Sequence, residues 1–337
     1  MITDVHLDKG KEELVKDIFG QLIVLCRKKG VERVICAGDV FTSRSGQPLE
    51  CLSAWSSILE DLQENGISLY VIPGNHDKTN ADDERSYLDV YGNWGQVLIR
   101  NHFTIKCRGG VDITMIPYFG TERWLSELSE VDINKGTKQV LVTHMAFDGV
   151  KNNDGTTVSD GVPPSAVKGF DAVFCGHYHN ASDVGKNIHY IGSAYQNDYG
   201  ENITDKGFTV LYDDLATEFV PSVFPKYIKK TIKASDRETL TNLLDKYGNP
   251  EVDHIRFEFV GTKAELEQIN TTEIKNRFGI DCKFKSDEET EAVDVAEEEA
   301  VLNYDKSTIT KDFYAFCAKN KIKGAHLKYG IRLIKML

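Results

Sequence analysis

Ile67-Ser68-Leu69-Tyr70-Val71-Ile72-Pro73-Gly74-Asn75-His76-Asp77 is the stretch that decides the fold. Its first six residues are mostly apolar or β-branched and read as a buried strand. Pro73-Gly74 then turns the chain. Three residues of the kind that bind hard or borderline divalent ions follow at once. The same plan recurs along the chain. Residues 31–37 form a strand-like run ahead of Gly38-Asp39, 140–143 precede His144, and 172–175 precede Gly176-His177-Tyr178-His179. The three residues Met1, Ile2 and Thr3 lead into Asp4-Val5-His6, and so short a run leaves Asp4 and His6 open to fraying. Strand ends that all carry metal ligands describe one site at one edge of a sheet.

Helical patterns separate these runs. Residues 11–29 carry Leu14, Ile18, Leu22 and Leu25 at helical spacing and stop at Gly30. Pro48 opens a second helix with Leu52, Trp55, Leu59 and Leu62 on one face. The strand-loop-helix order predicts an α/β fold with a largely parallel sheet and active loops at the strand ends. From about residue 97 short strands dominate, at 103–107, 111–116, 140–143, 172–175, 188–191 and 208–212, and predict a second sheet packed on the first. The polar stretch 148–161 reads as a surface loop. Residues 221–225 mark a boundary. Beyond it a small α/β unit is expected: helix 237–247, strand 253–260, helix 263–278, strand 281–285. Residues 287–299 hold eight acidic residues and read as a solvated linker. Residues 306–337 reverse the sign, with eight Lys or Arg against Asp312, and fit two amphipathic helices broken near Gly324. The expected domains are 1–222, 225–286 and 287–337.

A chain of 337 residues exceeds one ordinary core, and 41% hydrophobic with 27% charged residues is a globular balance. No apolar run approaches the ~18 residues a membrane span needs. Asp4 and Asp8 interrupt any signal-peptide pattern, so an unexported, cytoplasmic protein is expected (host cytoplasm if viral). The seven cysteines form no C-x-x-C pair and read as small buried hydrophobes in a reducing compartment. The net charge of −12 argues weakly against nucleic acid, because a metal-lined groove binds phosphate on an acidic protein too.

Phosphate-ester hydrolysis needs a nucleophile at neutral pH and neutralisation of charge on the phosphoryl oxygens. Two divalent ions about 3.5–4 Å apart supply both. Holding them takes a bridging carboxylate with His, Asp and Asn donors, which is the inventory found here. Asp-x-His, Gly-Asp, Gly-Asn-His-Asp, Thr-His and Gly-His-x-His, in this order, resemble the calcineurin-like metallophosphoesterase superfamily. More narrowly the chain resembles the Mre/SbcD DNA-break nucleases, and among them the phage-type recombination endonuclease subunits. That match rests on Ile116-Pro117-Tyr118, on Gly192-Ser193-Ala194-Tyr195-Gln196 with Gly200-Glu201, and on Lys206-Gly207-Phe208.

The resemblance implies a four-layer αββα sandwich with a small DNA-contacting α/β cap and C-terminal helices that dock on an SbcC-type ABC ATPase. It implies two ions, Mn(II) foremost with Mg, Fe or Zn as the alternatives. One would be held by Asp4, His6, Asp39 and His179, and the other by Asp39, Asn75, His144 and His177. His76 would assist the leaving group as general acid, with Asp77 orienting it. The attacking group would be a hydroxide held between the ions, so no Ser or Cys nucleophile is required. The implied activity is Mn-dependent hydrolysis of DNA, as exonuclease or endonuclease, by a subunit that forms homodimers. With no G-x-x-x-x-G-K-[ST] loop, any ATP dependence belongs to a partner. Two other readings stay open: a phosphodiesterase or phosphatase acting on nucleotides or small esters, and a weakly catalytic DNA-end scaffold. His102, His189, His254 and His326 read as surface or satisfied core residues, and Tyr118 and Tyr195 as packing residues. Ser193 and Glu201 are divided between turn or surface positions and a role at the site.

Overall fold

Period-two alternation sends successive residues of each strand into different cores, and this builds the layers. The structure, a computed structural model, describes residues 1–152, 156–201, 204–248 and 253–286. The first sheet runs β1 (Arg33–Cys36), β2 (Ser68–Val71), β3 (Gln96–Leu98), all parallel. Val34, Cys36, Leu69 and Val71 point to one side, onto helices α1 (Glu12–Lys29) and α2 (Leu49–Glu64). Ile35 and Tyr70 point to the other side, toward a second sheet. That sheet holds β4 (Phe103–Cys107), β5 (Val111–Ile116), β6 (Lys138–Thr143), β7 (Ala172–Cys175), β8 (Ser182–Val184) and β9 (Ile188–Tyr190). Their order is β4-β5-β6-β7-β9-β8, parallel from β5 through β9 and antiparallel at both edges.

Val140, Val142, Ala172 and Phe174 face the first sheet. Leu141, Val173 and Cys175 face outward, beneath α3 (Thr121–Ser129) and its Trp124. Three apolar clusters therefore separate four layers, helix, sheet, sheet and helix, as a metallophosphoesterase fold requires. Burying strands on both faces is what makes their sequences near-continuous apolar runs. In α1 the buried face centres on Val15, Ile18, Phe19, Leu22, Ile23 and Cys26, so the predicted Leu14 and Leu25 lie at its margins.

The chain before α1 is not a regular strand, yet it is tied along its length. Ile2 N–H donates to Ile35 O (3.0 Å), Ala37 N–H to Ile2 O (2.9 Å), Asp4 N–H to Gly38 O (3.0 Å), His6 N–H to Asp39 O (3.0 Å) and Leu7 N–H to Val40 O (2.7 Å). Ile2, Asp4, Val5 and Leu7 are at most 1% exposed. Asp4 and His6, read as open to fraying, are instead held by a parallel ladder to residues 35–41.

A hairpin of β10 (Gly207–Leu211) and β11 (Thr217–Pro221) follows, then β12 (Tyr227–Lys233), α4 (Arg237–Tyr247), β13 (His254–Gly261), α5 (Lys263–Leu266), α6 (Thr271–Phe278) and β14 (Asp281–Ser286). β12, β13 and β14 form a three-stranded sheet, with Ile255, Phe257 and Phe259 of β13 alternating inward. The single helix expected over 263–278 is instead two. A capping box of Thr262 and Glu265 starts the first, and Asn270-Thr271-Thr272, poor in helix interiors, favours a new start. By contact density the chain divides into two units. The described residues within Met1–Lys230, Leu243–Phe257 and Thr272–Asp281 form one, and those within Thr231–Asn242, Glu258–Thr271 and 282–286 form the other. The acidic run 287–299 and the tail 306–337 lie outside the described residues. Among the described residues no helix is long and apolar enough to cross a membrane.

Candidate metal centre

Four parallel strands end at one place. The chain leaves β1 into Gly38-Asp39, β2 into Asn75-His76-Asp77, β6 into His144, and β7 into His177 and His179. The segment carrying Asp4 and His6 runs beside β1 and arrives at the same edge. The backbone bends sharply here. Among the described residues five non-glycine positions have positive φ, and four of them are Asp4 (51°), His6 (46°), Asp39 (52°) and His177 (84°). Such conformations cost on the order of 1–3 kcal/mol each and persist only where surrounding contacts impose them. Each turns a side chain out of the strand direction and into the shared space.

Two glycines make the convergence possible. A Cβ on Gly74 would sit 2.2 Å from Asp39 Oδ1. One on Gly176 would sit 2.1 Å from Thr3 Oγ1, 2.6 Å from Ala37 O and 2.8 Å from His144 Nδ1. The glycines of Gly-Asn-His-Asp and Gly-His-x-His are thus the places where ligand loops touch with nothing between them.

The side chains form two groups whose donor atoms lie within 4.8 Å of one another: Asp4, His6 and His179, and Asp39, His144 and His177. In the first, His6 Nε2 is 2.9 Å from His179 Nε2. Asp4 Oδ1 is 3.9 Å from His6 Nε2 and 3.7 Å from His179 Nε2. In the second, His144 Nε2 is 3.3 Å from Asp39 Oδ2, and Asn75 Oδ1 is 3.1 Å from His144 Nε2 and 2.8 Å from His177 Nδ1. Asp39 Oδ2 also lies 3.7 Å from His6 Nε2, so one carboxylate oxygen reaches both groups. Asp39 Oδ1 is occupied by the His76 N–H at 2.8 Å.

The donor atoms fit cations. His144 Nδ1 donates to Ala37 O at 2.7 Å, and His179 Nδ1 donates to Glu201. Both rings therefore turn Nε2 toward acceptor atoms, and that convergence is relieved only by a proton or a metal ion. The titration behaviour reflects the crowding. Burial would lift Asp39, yet His144 beside it holds the carboxyl well below the usual carboxylate range. Burial would lower His144, but Asp39 wins and raises it to about 9. Burial dominates at His6 and His177, each pushed down to about 4, so both are neutral donors at physiological pH.

His76 is half-buried at the mouth of the site, edge-on to the His6 ring at 5.0 Å. Its Nδ1 donates to Thr42 O. The sequence reading has Asp77 orienting this ring, and the contacts differ. Asp77 is fully buried, and its carboxylate accepts from Phe41 N (2.9 Å), Val40 N (3.2 Å) and Gly74 N (2.9 Å). It clamps the loop after β1 to the loop after β2, while a backbone carbonyl orients His76. Burial and the nearby Asp39 carboxylate push Asp77 up to about 7, against those three donors.

Behind His144, Trp124 Nε1 donates to Thr143 Oγ1 (2.9 Å) and Thr143 Oγ1 donates to Ile116 O (2.9 Å), tying α3 and β5 to the residue before His144. The site opens into a cleft of about 450 Å³ whose rim carries Lys11 and Arg44. Tyr118, read as packing, stacks on His177 at 24° and 6.2 Å. Tyr195 is fully buried, and its hydroxyl donates to Val5 O. Ser193 and Glu201 are the residues the sequence reading left undecided; Ser193 is buried, its hydroxyl donating to Tyr195 O (2.9 Å), and Glu201 lies beside it. Glu201 is 2% exposed and bonded to His179, and its one sequence signal was the Gly200-Glu201 pair after Ser193. His102 pairs with Glu127 and His189 with Asp183, while His254 stacks on Tyr227.

Residues 1–181 match the family model described as calcineurin-like phosphoesterase. Exonuclease subunit 1 of Enterobacteria phage T4 is 26% identical over 279 residues, covering 80% of each chain. The putative phosphoesterase 078R of Invertebrate iridescent virus 3 is 20% identical over 312 residues, or 87% of this chain and 86% of that one. The DNA double-strand break repair protein Mre11 of Saccharolobus solfataricus is 27% identical over 190 residues, 53% of this chain and 48% of its own length.

Proposed function

The chain belongs to the calcineurin-like phosphoesterase family, whose members hydrolyse phosphate esters at a dimetal site, and from that premise we propose that it is a Mn(II)-dependent DNA nuclease subunit. The observation that carries the reading is the convergence of seven donor residues in two groups around Asp39, with His76 beside them and outside both. In this reading Asp4, His6, Asp39 and His179 hold one ion, and Asp39, Asn75, His144 and His177 the other. Bound there, two such ions supply charge neutralisation for the phosphoryl oxygens and a hydroxide at neutral pH.

The protein's own groups do the rest. With Oδ1 tied to the His76 amide, Asp39 offers Oδ2 to both positions. With Nδ1–H given to Thr42 O, His76 has Nε2 left to carry a proton to the leaving oxygen. Lys11 and Arg44 on the rim favour a polyanionic substrate at the mouth of an otherwise acidic protein.

The proposed organisation is a nuclease domain over 1–222, a DNA-contacting cap over 225–286, and an acidic linker with partner helices over 287–337. The basic, amphipathic tail supports docking on an SbcC-type ABC ATPase. A homodimer in the cytoplasm (the host's, if the protein is viral) completes the proposal. The phage T4 and archaeal relatives, an exonuclease subunit and a DNA-break repair protein, support the DNA substrate and the subunit role.

The test uses full-length protein with Mn, with Mg and with chelator. Its substrates are single-stranded and duplex oligonucleotides of graded length, a nucleotide diester and a phosphopeptide. Mn-dependent cleavage that grows with DNA length and is abolished in Asp39→Ala supports the proposal. Cleavage of the nucleotide diester alone would replace the DNA reading with a small-ester phosphodiesterase. Absence of all hydrolysis, alone and with an ATPase partner, would leave a scaffold.

A further inference from the structure

The segment from Ser193 to Lys206 carries part of the sequence resemblance to the nucleases, yet its described residues supply no donor atom to either group. We propose that Glu201, backed by Lys206, is a positioning residue that fixes His179 for the ion held with Asp4 and His6; this rests on reading the site as a two-metal centre. Glu201 accepts the Nδ1–H of His179, which leaves Nε2 as the ring's free lone pair, aimed toward Asp4 Oδ1 (3.7 Å) and His6 Nε2 (2.9 Å).

The carboxylate is itself held on its other oxygen. Its Oε2 accepts the N–H of Asn197 (3.0 Å) and lies 3.3 Å from Ser193 Oγ and 3.7 Å from Lys206 Nζ. Lys206, 3% exposed, also donates to the carbonyl of His179, so one ammonium group restrains both the ligand's backbone and the carboxylate on its ring. The Ser193 N–H donates to that same carbonyl at 3.0 Å. Gln196 Nε2 donates to Glu201 O (3.3 Å) and closes the loop. A buried ammonium beside a buried carboxylate keeps the support near neutral, so orientation and basicity reach the imidazole without another net charge in the site.

The two ion positions are therefore supported differently. At the other position His144 gives its Nδ1–H to the backbone carbonyl of Ala37, which no substitution removes. That asymmetry makes the proposal testable by counting ions. Glu201→Gln keeps an oxygen that can accept from Nδ1–H but loses the charge, and Glu201→Ala loses both.

Mn(II) titration of the full chain by calorimetry, with free Mn counted by paramagnetic resonance, should give two ions for wild type. Losing such a support costs about 10–100-fold in metal affinity. Glu201→Ala is expected to weaken one ion within that range and Glu201→Gln to weaken the same ion less. The second ion should stay within about twofold of wild type in both variants. A purely structural role would weaken both ions together, with no rescue by Gln. Equal loss of both ions, or two ions at wild-type affinity in both variants, overturns the assignment. Should Glu201→Ala not fold, the comparison of Glu201→Gln with wild type decides. A wild-type chain that takes up fewer than two ions overturns the two-metal reading itself.

Discussion

Gly176→Ala is a one-methyl wedge driven between three ligand-bearing segments. The added Cβ would lie 2.1 Å from Thr3 Oγ1, 2.6 Å from Ala37 O and 2.8 Å from His144 Nδ1, where carbon–oxygen contact needs more than 3 Å. Thr3 can rotate away only by leaving its 2.8 Å bond to Asp4 Oδ2, a buried bond to a carboxylate worth about 1.5–3 kcal/mol. Ala37 O is main chain beside β1, so relief there means backbone movement, an overpacking cost of about 1–3 kcal/mol. Lower chain entropy in the unfolded state returns about 0.4–1 kcal/mol. The net expectation is a loss of about 2–5 kcal/mol, out of the 5–15 kcal/mol typical of folded domains. Urea unfolding in chelator measures it. Mn titration of the same variant should show weakened uptake at the Asp39–His144 position. Gly20→Ala is the control, exposed within α1 with nothing within 4 Å of its added Cβ, and expected to stabilise by about 1 kcal/mol. If Gly176→Ala unfolds within about 0.5 kcal/mol of wild type and keeps both ions, the crowding does not position the site and the reasoning fails.

In metal-free protein the stability contributed by His6, His177 and His144 should be largest near pH 6.5. His6 and His177 fall from 6.5 to about 4 on folding, so the unfolded chain binds more protons between those values and stability rises with pH. His144 rises from 6.5 to about 9, so above pH 6.5 the folded chain holds the extra proton and stability falls. A melting series in chelator from pH 4 to 9 whose difference from a variant carrying His6→Asn, His144→Asn and His177→Asn lacks this maximum would contradict the assigned environments. His76→Ala should keep both Mn ions and lose about 10²–10⁴ in turnover, the range of a general acid; loss of an ion would make it a ligand instead. Asp77→Ala orphans three backbone N–H groups at about 1 kcal/mol or more each, so chemical denaturation should register a loss of at least about 3 kcal/mol. Unchanged stability with slowed turnover would restore Asp77 to the role of orienting His76.

Much of this architecture was legible because each strand is buried on both faces and so announces itself as an apolar run ending in a polar motif. The assignment of β1, β2, β6 and β7 needed nothing more, and their shared direction put the motifs at one edge. The sequence could not reveal which partner each polar side chain would choose. Asp77 follows His76 directly, yet folding turns it toward three amides of other loops. Glu201 sits in a polar, glycine-bearing stretch typical of a surface turn, and only the approach of His179, 22 residues earlier, buries it. The ladder that holds Asp4 and His6 was hidden for a related reason. Left-handed residues interrupt regular strand geometry, so periodicity ends where the hydrogen bonding continues.

Those left-handed residues also bear on how an ion enters. Asp4, His6 and Asp39 hold their unusual backbone angles through main-chain bonds to neighbouring segments, and the His177 N–H donates to the Asp4 carboxylate (3.1 Å). Ordering the cage is then part of folding rather than part of loading. Uptake should accordingly be fast, limited by stripping water from the ion and releasing protons, with little change in heat capacity. Amide exchange in these loops should be nearly as slow in the empty protein as in the filled one.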